Sequence, residues 1–121
     1  MPAVTWELCE EFLALDKGIR FVGAADRMGK IIAYAYRQGL QSLLTKEESE
    51  LSATQSILRM GTRKTMEKKL GKTIYAFAMY EKVKRATIPI EDDGILMVSF
   101  DNDVDHEPII NNKIVPRLKA R

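Results

Sequence analysis

Two apolar runs on either side of Asp26-Arg27-Met28-Gly29 set the first constraint on this chain. Ile19 to Ala25 and Lys30 to Arg37 each have strand length, and the glycine between them supplies the positive backbone angle that a tight turn demands. The spacing predicts a β-hairpin. Neither strand has one oily and one charged side. Gly23, Ala24, Ala25, Ala33 and Ala35 are small, which lets another element or a ligand approach closely. Tyr34 and Tyr36 share one face, opposite Ala33 and Ala35. A hairpin with so little charge on either side belongs in a sheet covered on both faces.

The rest of the chain supplies the cover and the remaining strands. Thr5 caps a first helix, Trp6 to about Leu15, with Trp6, Cys9, Phe12 and Leu13 at helical spacing. After a loop from Gly39 to Leu44, Thr45 and Glu48 form a T-x-x-E capping box. The helix it opens is predicted to run to about Lys69, with Gly71 just past its end and Gly61 as the point where a bend is expected. Three strands are predicted next: Thr73 to Tyr80, Val83 to Ile90 with Pro89 marking its end, and Ile95 to Phe100 after an Asp92-Asp93-Gly94 turn. Ile110, Ile114 and Leu118 fall at i, i+4, i+8 and indicate a closing helix, which Pro116 is expected to break or kink. The order α-β-β-α-β-β-β-α joins two hairpin groups through a long helical crossover. It predicts an α+β protein with a five-stranded, mainly antiparallel sheet, residues 1–121 forming one domain.

Catalytic chemistry has little to stand on. The single histidine, His106, sits in an acidic loop, and no phosphate loop of the G-x-x-x-x-G-K-S/T type occurs. Asp101-x-Asp103-x-Asp105 starts like a calcium loop, but His106 stands where the glycine turn belongs and Asn112 where the bidentate glutamate belongs. The lone cysteine, Cys9, excludes an internal disulfide and reads as a small buried hydrophobe. No catalytic residue, metal or cofactor is expected. The apolar runs are too short to span a membrane, and MPAVTWELCEEF lacks a signal pattern, so a cytoplasmic protein is expected.

The net charge of +2 conceals an asymmetry. Lys and Arg dominate from Arg59 to Arg85, whereas Glu91 to Glu107 carries only acids. These regions either lie on different edges and serve partners or meet across an oligomer contact. The second helix adds a further clue. Leu51, Ala53, Thr54, Ile57, Leu58 and Met60 spread over about half its circumference, wider than one sheet needs. The surplus points to a second surface. A homodimer contact through Leu51, Ile57, Leu58 and Met60, with Tyr75 and Phe77 of the following strand, is the expectation. Arg63, Lys64, Lys68 and Lys69 would then orient an acidic protein partner electrostatically.

The hairpin FVGAADRMGKIIAYAY and the order of elements resemble the roadblock/longin/profilin-like group of small sheet domains, in which a strand–D-x-x-G-K–strand hairpin opens a five-stranded antiparallel sheet. Roadblock-like domains commonly dimerise and act as platforms for small GTPases or as scaffold subunits, so the resemblance implies a non-catalytic binding or scaffold module. The same hairpin, with TKEE and KTIYAFAMYEKV, also resembles a family of small proteins from ammonia-oxidising archaea (Nitrososphaerota), to which no activity attaches. Two other functions compete. A small-ligand sensor with a PAS-like role would use the space above Gly23, Ala33, Ala35, Ala76 and Ala78. A weak nucleic-acid binder would use the basic 59–85 region and the rings of Tyr75, Phe77 and Tyr80.

Overall fold

The computed structural model describes residues 4–120. Helix α1 (Trp6–Leu13) leads into strands β1 (Ile19–Ala25) and β2 (Ile31–Tyr36). Helix α2 (Lys46–Lys64) and the single turn α3 (Glu67–Leu70) follow, then β3 (Ala76–Met79), β4 (Val83–Pro89) and β5 (Ile95–Asp101). The chain closes with α4 (His106–Ile109), a π-helical stretch Ile110–Ile114 and α5 (Val115–Lys119). The five strands form one sheet in the order β2-β1-β5-β4-β3, every neighbouring pair antiparallel. No described helix is long and apolar enough to cross a membrane.

Strand alternation sends side chains to two unequal cores. Val22 and Ala24 of β1, Ala33 and Ala35 of β2, and Leu96, Val98 and Phe100 of β5 meet Cys9 and Phe12 of α1 and Ile109, Ile110 and Ile114 of the C-terminal helices. The opposite face carries a much smaller core, Ala25, Ile95 and Met97 beneath Ala53 of α2, with Phe21, Ile31, Ile57 and Met60 at its margin. Helix α2 is held at its start by the expected capping box: Glu48 N–H donates to Thr45 Oγ1 at 3.1 Å and Thr45 N–H to Glu48 Oε1 at 2.9 Å. It is also held by the hairpin turn. Gly29 has φ +83°, and a Cβ there would lie 2.8 Å from Thr54 Cα.

Beyond shifts of one residue at strand ends, four features differ from the sequence reading, each for an identifiable reason. Helix α1 stops at Leu13 rather than Leu15, because Leu15 N–H turns back onto Phe12 O in a tighter i+3 bond. Helix α2 passes through Gly61 and ends at Lys64, not Lys69. Thr65 Oγ1 donates to Thr62 O at 2.7 Å, and Thr65 and Met66 N–H groups also bond three residues back, so the α ladder closes there. Strand β3 covers only Ala76–Met79 of the expected Thr73 to Tyr80. The register would next set Ile74 against Pro89, which has no N–H to give. The C-terminal helix survives Pro116. Val115 N–H reaches back five residues to Ile110 O, and this wide turn places the proline in the first turn of α5, where a missing N–H costs nothing.

An ion-pair cluster ties the end of the sheet together. Arg37, just beyond β2, grips Asp101 of β5 with both guanidinium nitrogens (2.8 and 3.0 Å), and Arg20 of β1 adds a contact at 3.3 Å. The Arg37 hydrogen bond, aided by Arg20, holds the Asp101 carboxyl below its ordinary 3.8. The unfolded chain therefore binds the proton more readily, and this stabilisation is present above the ordinary carboxylate range and lost as pH falls towards the folded value. Acid unfolding monitored by circular dichroism will show a shallower decline for Asp101→Asn than for the parent, from a lower starting stability; parallel curves would refute the assignment.

The glycines give a second check. Gly29→Ala forces a side chain into left-handed backbone against α2 and should cost about 1–3 kcal/mol. Gly61→Ala, which meets nothing within 4 Å, should gain about 0.5–1 kcal/mol from helix propensity. Denaturant titration reads both, and the same sign for the two would contradict the structure.

Candidate interaction surface around helix α2 and strand β3

Helix α2 rests on its sheet by a narrow strip. Ala53 and Ser56 are its only buried residues among those described, and Ile57 and Met60 are half-buried against the smaller core. Leu51 and Leu58 are seven residues apart, two helical turns, so they form one ridge. They are 59% and 67% exposed, on the side of α2 turned away from the sheet. The four expected contact residues of α2 thus separate into a pair that seats the helix and a pair that faces solvent. Exposed apolar side chains continue along the chain at Met66, Leu70, Ile74, Met79 and Tyr80. Strand β3, which carries Met79, pairs only with β4 among the described residues, so its outer edge has no strand partner there.

The other expected residues are spread similarly. Tyr75 and Phe77 turn to the face with the larger core, where both are partly buried. The Phe77 ring lies flat on His106, with centroids 3.7 Å apart and planes within 11°. Stacking of bases on these rings would need that face to open. Ala76 and Ala78 occupy the α2 side instead. Of the expected basic set, Lys64 pairs with Asp93 on one flank of α2. Arg63 lies on the other flank, facing β3, and Lys68 and Lys69 are exposed on α3. The basic and acidic segments therefore meet within the chain at Lys64–Asp93. Asp101, from the acidic segment, is taken by Arg37 and Arg20.

Arg59 and Arg85, the ends of the basic 59–85 region and not among the residues expected to orient an acidic partner, both line the same groove as Arg63. The i, i+4 spacing of Arg59 and Arg63 is visible in the sequence; the approach of Arg85 from β4 is a product of the sheet. Two larger grooves flank α2. One, near 980 Å³, runs past Met28, Ile57, Met60 and Ile74 to Leu118. The other, near 640 Å³, lies between Leu40, Leu43 and Leu44 of the loop before α2 and Tyr80 and Val83 at the start of β4. Both are open to solvent rather than enclosed.

Among the described residues no side chain hydrogen-bonds to His106, and its Nδ1 is buried without a partner. With Asp101 committed to Arg37, the Asp101-x-Asp103-x-Asp105 run forms no metal-binding group among the described residues. Cys9 is fully buried, and burial, with a smaller contribution from the Glu10 charge, pushes its thiol up to about 11. Native protein at mildly alkaline pH should therefore react with a chromogenic disulfide reagent at least about 100-fold more slowly than unfolded protein; prompt stoichiometric labelling of the native state would be inconsistent with this packing.

No family model and no curated protein matches the sequence. Solved structures do match over nearly the whole chain. A roadblock/LC7 domain from Streptomyces avermitilis superposes with a TM-score of 0.69 at 8% identity, covering 95% of this chain and 94% of its own. MglB from Myxococcus xanthus gives 0.70 at 15% identity, covering 94% and 81%. An MglB described with a tetrameric arrangement gives 0.73 at 15%, covering 99% and 91%. Identities this low speak to architecture alone, and on that level they agree with the sheet order and the placement of helices: the chain has the roadblock/LC7 fold.

Proposed function

We propose that this chain is a non-catalytic, cytoplasmic protein-binding module that works as a homodimer and serves as a platform for a regulatory partner. The observation that carries the reading is the Leu51–Leu58 ridge on a helix already seated by other residues. Water-exposed leucines in a row serve no purpose in the isolated fold. Burying each would contribute on the order of 1.5–3 kcal/mol, and two copies would bury four, a useful offset to the cost of association. The outer edge of β3, without a strand partner among the described residues, also offers backbone groups to a second copy. The tetrameric arrangement of one structural neighbour supports self-association as something this fold accommodates.

Leu58→Asp is the cleaner probe, because Ile57, half-buried in the smaller core, would perturb folding as well. The parent should sediment as a dimer at micromolar concentration. Leu58→Asp should weaken the dimer at least about tenfold, as burial of one charged carboxylate costs more than 1.4 kcal/mol, with little change in the monomer's melting temperature. A parent that stays monomeric at high concentration, or a variant with unchanged mass, would overturn the reading.

A further inference from the structure

On the β3 side of α2 the sheet lies partly uncovered. Ala76 and Ala78 of β3 form the floor with Thr87 of β4, and Arg59 and Arg63 stand along the α2 wall. Arg85 enters from β4, its guanidinium held by Ser52 Oγ at 2.8 Å. No Asp or Glu lines this groove, and among the described residues none of the three arginines joins an ion pair. Elsewhere Arg20 and Arg37 pair with Asp101, Lys64 with Asp93, Lys113 with Asp16 and Arg117 with Glu11, while exposed cations such as Lys68 and Lys69 join no ion pair among the described residues either; what sets the groove apart is that three guanidinium groups share one space. Guanidinium groups do not discharge by losing a proton, so three of them around one small space repel one another until an anion arrives.

We propose that this groove is an oxyanion site that receives the carboxylates of an acidic segment from a protein partner. Guanidinium forks match carboxylates in two-point hydrogen bonds. The space is near 80 Å³, well under the roughly 300 Å³ at which sites for larger organic ligands begin, so side-chain carboxylates fit and a nucleoside does not. Of the three rings expected to stack bases, Tyr75 and Phe77 pack on the other side of the sheet and only Tyr80 lines the groove, which leaves one ring in place of the run of aromatic side chains that a single-stranded nucleic acid would use. The groove is open along its outer side, so an extended acidic segment can lie over β3 and β4 and lower successive carboxylates towards Arg85, Arg59 and Arg63. The proposal rests on the chain being a protein-binding module and does not require self-association.

The test uses the full chain and a short fluorescein-labelled polyglutamate peptide, with polyglutamine of equal length beside it, read by anisotropy. Polyglutamate should bind and polyglutamine should not, and binding should weaken steeply with added salt. Arg59→Gln/Arg63→Gln should lower the affinity at least about tenfold, and Arg85→Gln should lower it measurably, whereas Lys30→Gln/Lys119→Gln, which removes equal charge at exposed positions outside the groove, should leave it within about twofold. Equal losses in the arginine and lysine variants would overturn the site, as would absence of polyglutamate binding or tighter binding of inorganic phosphate or oligothymidylate. Light scattering on the same samples separates the two readings: peptide binding by a monomer upholds this site and removes the dimer, and a dimer without peptide binding does the reverse.

Discussion

Strands β1 and β5 lie far apart in sequence and side by side at the centre of the sheet, and their antiparallel pairing is the contact on which the other elements depend. Both strands are buried on both faces for most of their length. Their register, Val22 opposite Val98 and Ala24 opposite Leu96, decides which side chains enter the larger core and which face α2. A slip of one residue would exchange the two sets. Each central strand brings its own hairpin partner, so β2 falls on one outer edge and the β4–β3 hairpin on the other. The long connection through α2 spans this arrangement, since a crossover between the two groups must pass over a face of the sheet. From the central pairing follow both the location of the open β3 edge and the position of α2 above the junction of β1 and β5.

Local chemistry made much of this legible beforehand. The D-x-x-G turn, the Thr45–Glu48 box and the apolar strands each act through neighbours a few residues away, and each appears where the sequence puts it. The differences share a cause as well. Strand β3 is cut short by Pro89 on a strand it meets only after folding. The C-terminal helix tolerates Pro116 because a π turn ahead of it absorbs the defect, an option that period counting along a helix does not reveal. The end of α2 was read from its glycines, whereas threonine hydroxyls decide it.

The binding residues were legible as a composition and not as a surface. A helical wheel showed that α2 is oily over too wide an arc, and it is. It gave no direction for the sheet within that arc. The structure places the sheet on the Ala53–Ser56–Ile57–Met60 side, which leaves Leu51 and Leu58 outward. Tyr75 and Phe77 were grouped with these leucines because they follow in sequence, yet strand alternation sends them to the opposite face, onto His106. The basic run likewise divides by flank, Lys64 towards Asp93 and Arg63 towards β3. Only tertiary placement could add Arg85, whose partner Ser52 is 33 residues away along the chain.

The shallow seating of α2 accounts for the groove beside it. A helix buried more deeply would have closed the space above Ala76 and Ala78. Alanines on β3 keep the floor low, and a larger residue there would fill the groove from beneath. Of the three arginines only Arg85 helps to hold α2, through Ser52 of that helix; Arg59 and Arg63 pair with no carboxylate among the described residues. Guanidinium groups that have no carboxylate partner among the described residues are free to take one from outside. That difference sets this groove apart from the Asp101 cluster, two residues beyond Ser99 on β5, where two arginines converge on a carboxylate that the chain itself provides.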